Sequence, residues 1–393
     1  MGTFLPRWVL TYRYSFAVAL LFFVGALFVG NAETLISGEL GFAAVNHSVA
    51  PSPGSPLHTI LAQPFLLLPL GSVIFRLTLY AITTCAMVLF FFGVFLERRV
   101  SSRVVVIMVL VAIALSGIFF RNTLMVSDIP LTLLFILVMF HVVDLRSPLA
   151  DLRMPLLLVF LTGLGCGGLH PSLRFLLPPM IILWLTTLRV APRLFAAIPL
   201  FFLLGFGVVL FLPLSLGGFD HVSTIRGPGG LFSYLGTRSQ GAPESGVFSF
   251  PLFFSNLKIM VEYLSDSFPF FLVPLAGAGV YYGFLSIYRR DFMTFFGIGV
   301  AAFLYTAWMV PDQIPQGGTG LISLFALWCA VAVGTVGLFG RWGARIWSDM
   351  GMALILLITI LAIVLNMGES PRPQGSDHRA LLREMVRKSK GKG

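Results

Sequence analysis

Charge is what this chain has least of. Only 11 % of its 393 residues are Asp, Glu, Lys or Arg, while 57 % are hydrophobic. So few charges cannot coat a water-soluble fold of this length, which excludes an ordinary soluble enzyme. Cysteine is nearly missing too. Cys85, Cys166 and Cys329 all fall inside apolar runs; that excludes a disulfide framework and reads as packing rather than metal binding. His47, His58 and His221 lack metal-ligand spacing. No internal repeat, heptad array or low-complexity segment is present. Lysine is scarce: the basic residues are mostly arginines at the ends of apolar runs. There they orient helices and meet lipid headgroups, so the net charge of +10 points to a bilayer and not to nucleic acid.

What the chain has is hydrocarbon. Mean hydropathy is +0.94, and apolar runs of roughly 18–23 residues recur along the length, each able to cross ~30 Å as a helix. Lipid offers the backbone no partners, and β-barrel strands would alternate in shorter segments. The expectation is an all-α polytopic membrane protein of about eleven spans. They are placed at 14–31, 73–96, 103–121, 128–144, 155–170, 174–188, 194–216, 267–288, 292–310, 318–339 and 348–366. Tyr14–Gly30 follows Arg7 and Arg13 like a signal peptide, but its Asn31-Ala32-Glu33 exit is no cleavage site, so it reads as a retained span. With the amino terminus inside, thirteen basic residues outside the tail fall on the cytoplasmic face and six on the other, as the positive-inside bias requires. The tail, 367–393, then lies outside, and Asp377–Lys388 reads as a short basic helix on an anionic outer leaflet; one miscounted span would place it inside.

Two outer segments, 33–72 and 217–266, exceed simple turns and are expected to be structured loops. The first carries the apolar stretch Ile60–Leu70; the second holds Gly227-Pro228-Gly229-Gly230 and an expected surface helix over Phe253–Leu264. Acids gather at outer span ends, where ionisable groups need water, a partner or a substrate. Glu39 sits in a Ser37-Gly38-Glu39 turn. Asp128 opens the fourth span, where a helix amino terminus favours a carboxylate as a cap or as a ligand group. His170 and Arg174 share a helix face if the helix continues through Pro171. Arg174, Arg226 and Arg238, on a base-poor face, suit phosphate binding as well as lipid headgroups. Gly163–Gly168 fits close helix packing.

The first outer loop has a recognisable order: Ile36-Ser37-Gly38-Glu39-Leu40, then Pro51-Ser52-Pro53-Gly54-Ser55-Pro56-Leu57, then Leu68-Pro69-Leu70-Gly71-Ser72 ending on Arg76. It resembles the protein O-mannosyltransferase-like family of the GT-C glycosyltransferases, whose loop reads D-S-G-E-F, H-P-P-G-Y-P-L and L-P-x-G-x-x-x-x-R. Val126-Ser127-Asp128-Ile129 is similar to that family's later acidic span start. Gly163-Leu164-Gly165 with His170 is similar to its G-L-x-x-G-N-H stretch, with Leu169 at the Asn position. Gly230-Leu231-Phe232 through Arg238 and Gly241 is faintly similar to its second loop. The resemblance spans roughly residues 14–240. It departs at Ile36 for the leading aspartate, at Pro51 for the histidine and at Ser55 for the tyrosine.

The resemblance implies a GT-C-like bundle over 1–366 that moves a sugar from a polyprenyl-phosphate carrier to a protein hydroxyl or an envelope glycan or lipid. Glu39 is the implied base, Asp128 the second acid or metal-binding group, Arg174, Arg238 and Arg226 the phosphate-holding cations, and His170 the orienting group. No metal site is assigned, and a divalent ion is left open. The implied location is a bacterial inner membrane with the active face periplasmic, or else the endoplasmic reticulum with that face lumenal. Two other functions stay in view: a catalytically inactive relative in envelope assembly, favoured by Ile36 and Pro51, and a lipid or solute transporter, for which a repeat and mid-span ionisable groups are missing.

Overall fold

The structure, a computed structural model, describes residues 11–30, 44–45, 55–124, 127–144, 153–169, 196–210, 250–265, 267–308, 320–339, 357 and 360–361. Among them the backbone is helical, without a strand: α1 (Arg13–Gly30), α2 (Pro56–Leu66), α3 (Val73–Glu97), α4 (Arg103–Ala114), α5 (Gly117–Leu124), α6 (Ile129–Asp144), α7 (Arg153–Gly168), α8 (Ile198–Phe206), α9 (Phe250–Ser265), α10 (Val273–Leu285), α11 (Arg289–Trp308) and α12 (Gly320–Phe339). By length and composition α3 and α12 can each cross a bilayer, and α4 with α5 makes a third crossing if their 59° bend lies within one span. Among the shorter apolar helices are those over Arg13–Phe28, Ile129–Val142 and Leu156–Gly168. The expected span 174–188, most of 348–366, the tail 367–393 and much of both outer loops lie outside the described residues.

The sequence marks several helix starts plainly. Gly71 takes φ +52°, a left-handed turn that favours glycine. Ser72 follows as the cap of α3, its hydroxyl accepting from the Phe75 amide at 3.1 Å, the usual answer to an orphan amide. The run expected as one span over 103–121 is instead broken at Leu115–Ser116. The Ser116 hydroxyl donates to the Ile113 carbonyl at 2.8 Å, and Ser267 Oγ accepts from the Ile118 amide at 3.0 Å. Hydroxyls from two segments satisfy the interrupted ladder, which lets the helix turn without stranding buried backbone groups.

Helices approach closely where glycine removes a side chain. A Cβ on Gly163 would lie 2.1 Å from the Phe202 carbonyl oxygen, and one on Gly205 2.1 Å from that of Phe160, so α7 and α8 touch backbone to backbone. The glycine-rich stretch 163–168 therefore packs helices as expected. Gly279 and Gly334 do the same between α10 and α12. The centre is aromatic: Phe92 meets Phe325 at 4.8 Å and Phe95 meets Phe295 at 5.0 Å between ring centroids. The three cysteines are buried and form no disulfide with one another. Buried threonines such as Thr84 and Thr335 return their hydroxyls to the carbonyl four residues earlier, which spares the interior a bare donor.

Arginines collect at one end of the helices. Glu97, at the close of α3, accepts from the Ser15 amide at 3.1 Å and from the Ser15 hydroxyl, so it caps the first turn of α1. Arg98 Nε donates to the Tyr12 hydroxyl at 2.8 Å. Arg99 and Asp291 form a buried ion pair at 2.8 Å, joining the end of α3 to the start of α11, and Arg290 Nε holds the same carboxylate at 2.8 Å.

Candidate functional site

At the other end of α3 the chain builds a buried polar cluster from α2, α3 and the head of α6. Proline at the first position of α2 has no amide to orphan, and the Ser55 carbonyl accepts from His58 at 3.0 Å and Thr59 at 3.3 Å. That turn directs Pro56, His58, Thr59 and Ala62 inward. Arg76, from the first turn of α3, donates to the Leu66 and Leu68 carbonyls and holds the far end of α2. Gln63 Nε2 donates to the Ala44 carbonyl at 2.8 Å. The far end of this short loop helix is thus held against α3 by Arg76.

Asp128 is buried and precedes α6, but its carboxyl does not cap its own helix. It accepts the hydroxyl hydrogen bond of Ser55, while the Ser127 hydroxyl takes the Ile129 amide at 3.3 Å. The Asp128 carbonyl carries Thr132 by amide and hydroxyl, both at 2.9 Å. The side chain therefore faces the loop and not its own helix. Beside it lies His58, fully buried, with both ring nitrogens lacking a hydrogen-bond partner among the described residues. Its ring stands edge-on to Tyr80, 5.1 Å between centroids and at 82°. Buried imidazole nitrogens without partners are uncommon, and here they mark where a polar group from elsewhere can bond.

The third stretch of the sequence pattern also comes close. A Cβ on Gly168 would meet Leu57 Cβ at 2.8 Å, so the end of α7, two residues before His170, presses on the start of α2. Ser55 and Leu57 of the proline-rich stretch, Asp128, and the close of the glycine stretch therefore converge at one helix end. Glu39, His170, Arg174, Arg226 and Arg238 lie outside the described residues, so of the six candidate residues the structure describes Asp128. Ser55, His58 and Tyr80 escaped the sequence reading. In the sequence His58 lacks metal-ligand spacing, and Ser55 stands where the resembled family has a tyrosine. The available signal was Ser55 and His58 three apart astride a helix-starting proline.

Among the described residues no three His, Cys, Asp or Glu side chains group to hold a metal. Asp128 with His58 supplies one carboxyl and one imidazole, too few for a structural metal site on their own. No protein-family model, curated protein or solved structure matches the chain.

His58 also gives the cluster a pH dependence. Burial lowers its pKa from 6.5 to about 4, with Asp128 pulling weakly the other way. Between those values the unfolded chain takes up a proton that the folded site refuses. The stability this site contributes is complete above pH 6.5 and is lost as pH falls towards 4, on the order of 3 kcal/mol in all. Melting curves from pH 7 to 4 are expected to fall more steeply for the natural chain than for His58→Phe, which keeps the ring against Tyr80. Parallel curves would show that His58 is not held neutral by burial.

Proposed function

We propose that this chain is a multi-pass membrane glycosyltransferase of the GT-C kind, with about eleven spans. It transfers a sugar from a polyprenyl-phosphate donor to a hydroxyl of a protein, glycan or lipid on the non-cytoplasmic face, periplasmic in a bacterium. The observation that carries the reading is the Ser55–Asp128 hydrogen bond. It joins the proline-rich loop stretch to an acidic span start 73 residues away, and those are two of the places where the sequence resembles that family. The orphaned nitrogens of His58 beside the acid support a site that receives a polar ligand.

In this scheme Glu39 accepts the proton of the acceptor hydroxyl as its oxygen bonds to the anomeric carbon. The bond from that carbon to the phosphate oxygen breaks, and the polyprenyl phosphate leaves with the electron pair. Arg174, Arg238 and Arg226 offset the charge that develops on the phosphate. His170 orients the phosphate, and Asp128 holds the loop and acts as the second acid. The donor's apolar tail stays in lipid.

The decisive assay supplies the purified full chain in vesicles with radiolabelled polyprenyl-phosphate sugars, mannose first, and a membrane extract as acceptor. Label is expected to leave the organic phase and appear in protein or glycan. A folded chain that moves no sugar from any such donor would instead favour the silent relative.

A further inference from the structure

We infer that the arginine-rich helix end binds a membrane phospholipid with an anionic headgroup, its phosphate between Arg13 and Arg103 and one acyl chain in the groove between α1, α3 and α6. The inference rests on these helices lying in a bilayer, not on sugar transfer.

Two cavities meet there. The first has a volume of about 660 Å³ and is lined by apolar side chains that include Phe16, Leu20, Met87, Phe91 and Val138. That volume suits a small-ligand site, for which ~300–1,000 Å³ is usual. Leu20 and Met87 are 50 % and 46 % exposed, so the groove is open along one side, as an acyl chain entering from surrounding lipid needs. The second cavity, about 490 Å³, is lined by polar groups that include Arg13, Tyr14, Glu97, Ser101 and Arg103. Tyr12 lines both, so the two adjoin at its side chain, and an amphiphile seated in both would pass beside that ring.

The charges select the headgroup. Arg13 and Arg103 flank the Tyr14 ring at 4.9 Å and 5.5 Å, and Arg13 donates to the Tyr14 hydroxyl at 3.0 Å. Both arginines are exposed, and neither forms an ion pair with a carboxylate among the described residues. Among the described lining residues the one acid, Glu97, turns its Oε1 to the first turn of α1. Two guanidinium forks beside one polar cavity match a phosphate diester. A free phosphate has no use for the apolar groove, and a zwitterionic lipid, whose ammonium sits beside its phosphate, offers the two arginines no net negative charge. A polyprenyl phosphate has both features, but its seat in the proposed reaction lies at the opposite helix ends.

Native mass spectrometry of the delipidated full chain, titrated with phosphatidylglycerol or phosphatidylcholine of identical acyl chains, tests this. Phosphatidylglycerol is expected to bind about tenfold or more tightly, from two arginines near the phosphate. Arg13→Gln combined with Arg103→Gln should erase the preference, and Ala86→Phe, which fills the groove, should weaken both lipids. Arg289→Gln, another exposed arginine, should leave the preference intact. Equal affinity of the natural chain for the two lipids overturns the inference without any variant needing to fold. So does an Arg289→Gln effect as large as that of the double variant, or tighter binding of a polyprenyl phosphate at this site. Loss of sugar transfer with the lipid preference retained would count against the glycosyltransferase reading alone.

Discussion

Asp128→Asn is expected to slow sugar transfer by about 10²–10⁴-fold, the span that a positioned acid–base group commonly supplies. The substitution is nearly isosteric and keeps an oxygen to accept the Ser55 hydroxyl, so α2 stays docked and the loss reports chemistry. Ser55→Ala is the matched control: it removes the hydrogen bond, leaves the carboxyl, and should cost much less. Glu39→Gln, at the implied base, should reduce transfer to the level without protein. If Asp128→Asn transfers at the natural rate, the acid only braces the loop. If Glu39→Gln does so, the base has been assigned to the wrong residue.

The largest stability effect is expected at the opposite end. Asp291→Ala removes the carboxylate held by both Arg99 and Arg290, and the Arg99 and Asp291 side chains are only 5 % and 8 % exposed. Breaking a buried pair from one side costs about 3–5 kcal/mol, because the cation left behind has lost its water as well as its partner. Reversible unfolding in mixed detergent micelles measures it directly. Arg99→Leu with Asp291→Leu should recover most of the loss, since a buried ion pair exchanged whole for apolar groups is often neutral. A single variant as stable as the natural chain would mean that the pair is open to water in the membrane.

Much of the helical framework was legible in composition and pattern. Hydrophobic runs gave α1, α3, α6, α11 and α12 close to their observed limits, because in such runs nothing competes with intrahelical hydrogen bonding. Gly71-Ser72 carries its own turn and cap chemistry. The break at Ser116 was hidden, because the residues on both sides are apolar and its second stabilising hydroxyl comes from Ser267, 149 positions beyond the Ile118 amide that it accepts from. For the same reason the Ser55–Asp128 contact could not be read locally. Spacing indicates which residues share a helix face, but it does not indicate which loop folds back over a given helix start.

The break between α4 and α5 shortens the height that the pair can span. With α4 upright, its 12 residues rise about 18 Å at ~1.5 Å each. The 8 residues of α5, inclined at 59°, add only about 6 Å of height. Taken as a single crossing, the pair falls several ångströms short of a ~30 Å hydrocarbon slab, a mismatch that bilayers meet by thinning. Here, though, none of the described residues from Val105 to Leu124 is exposed, so the helices packed around the elbow, and not lipid, cover the short crossing.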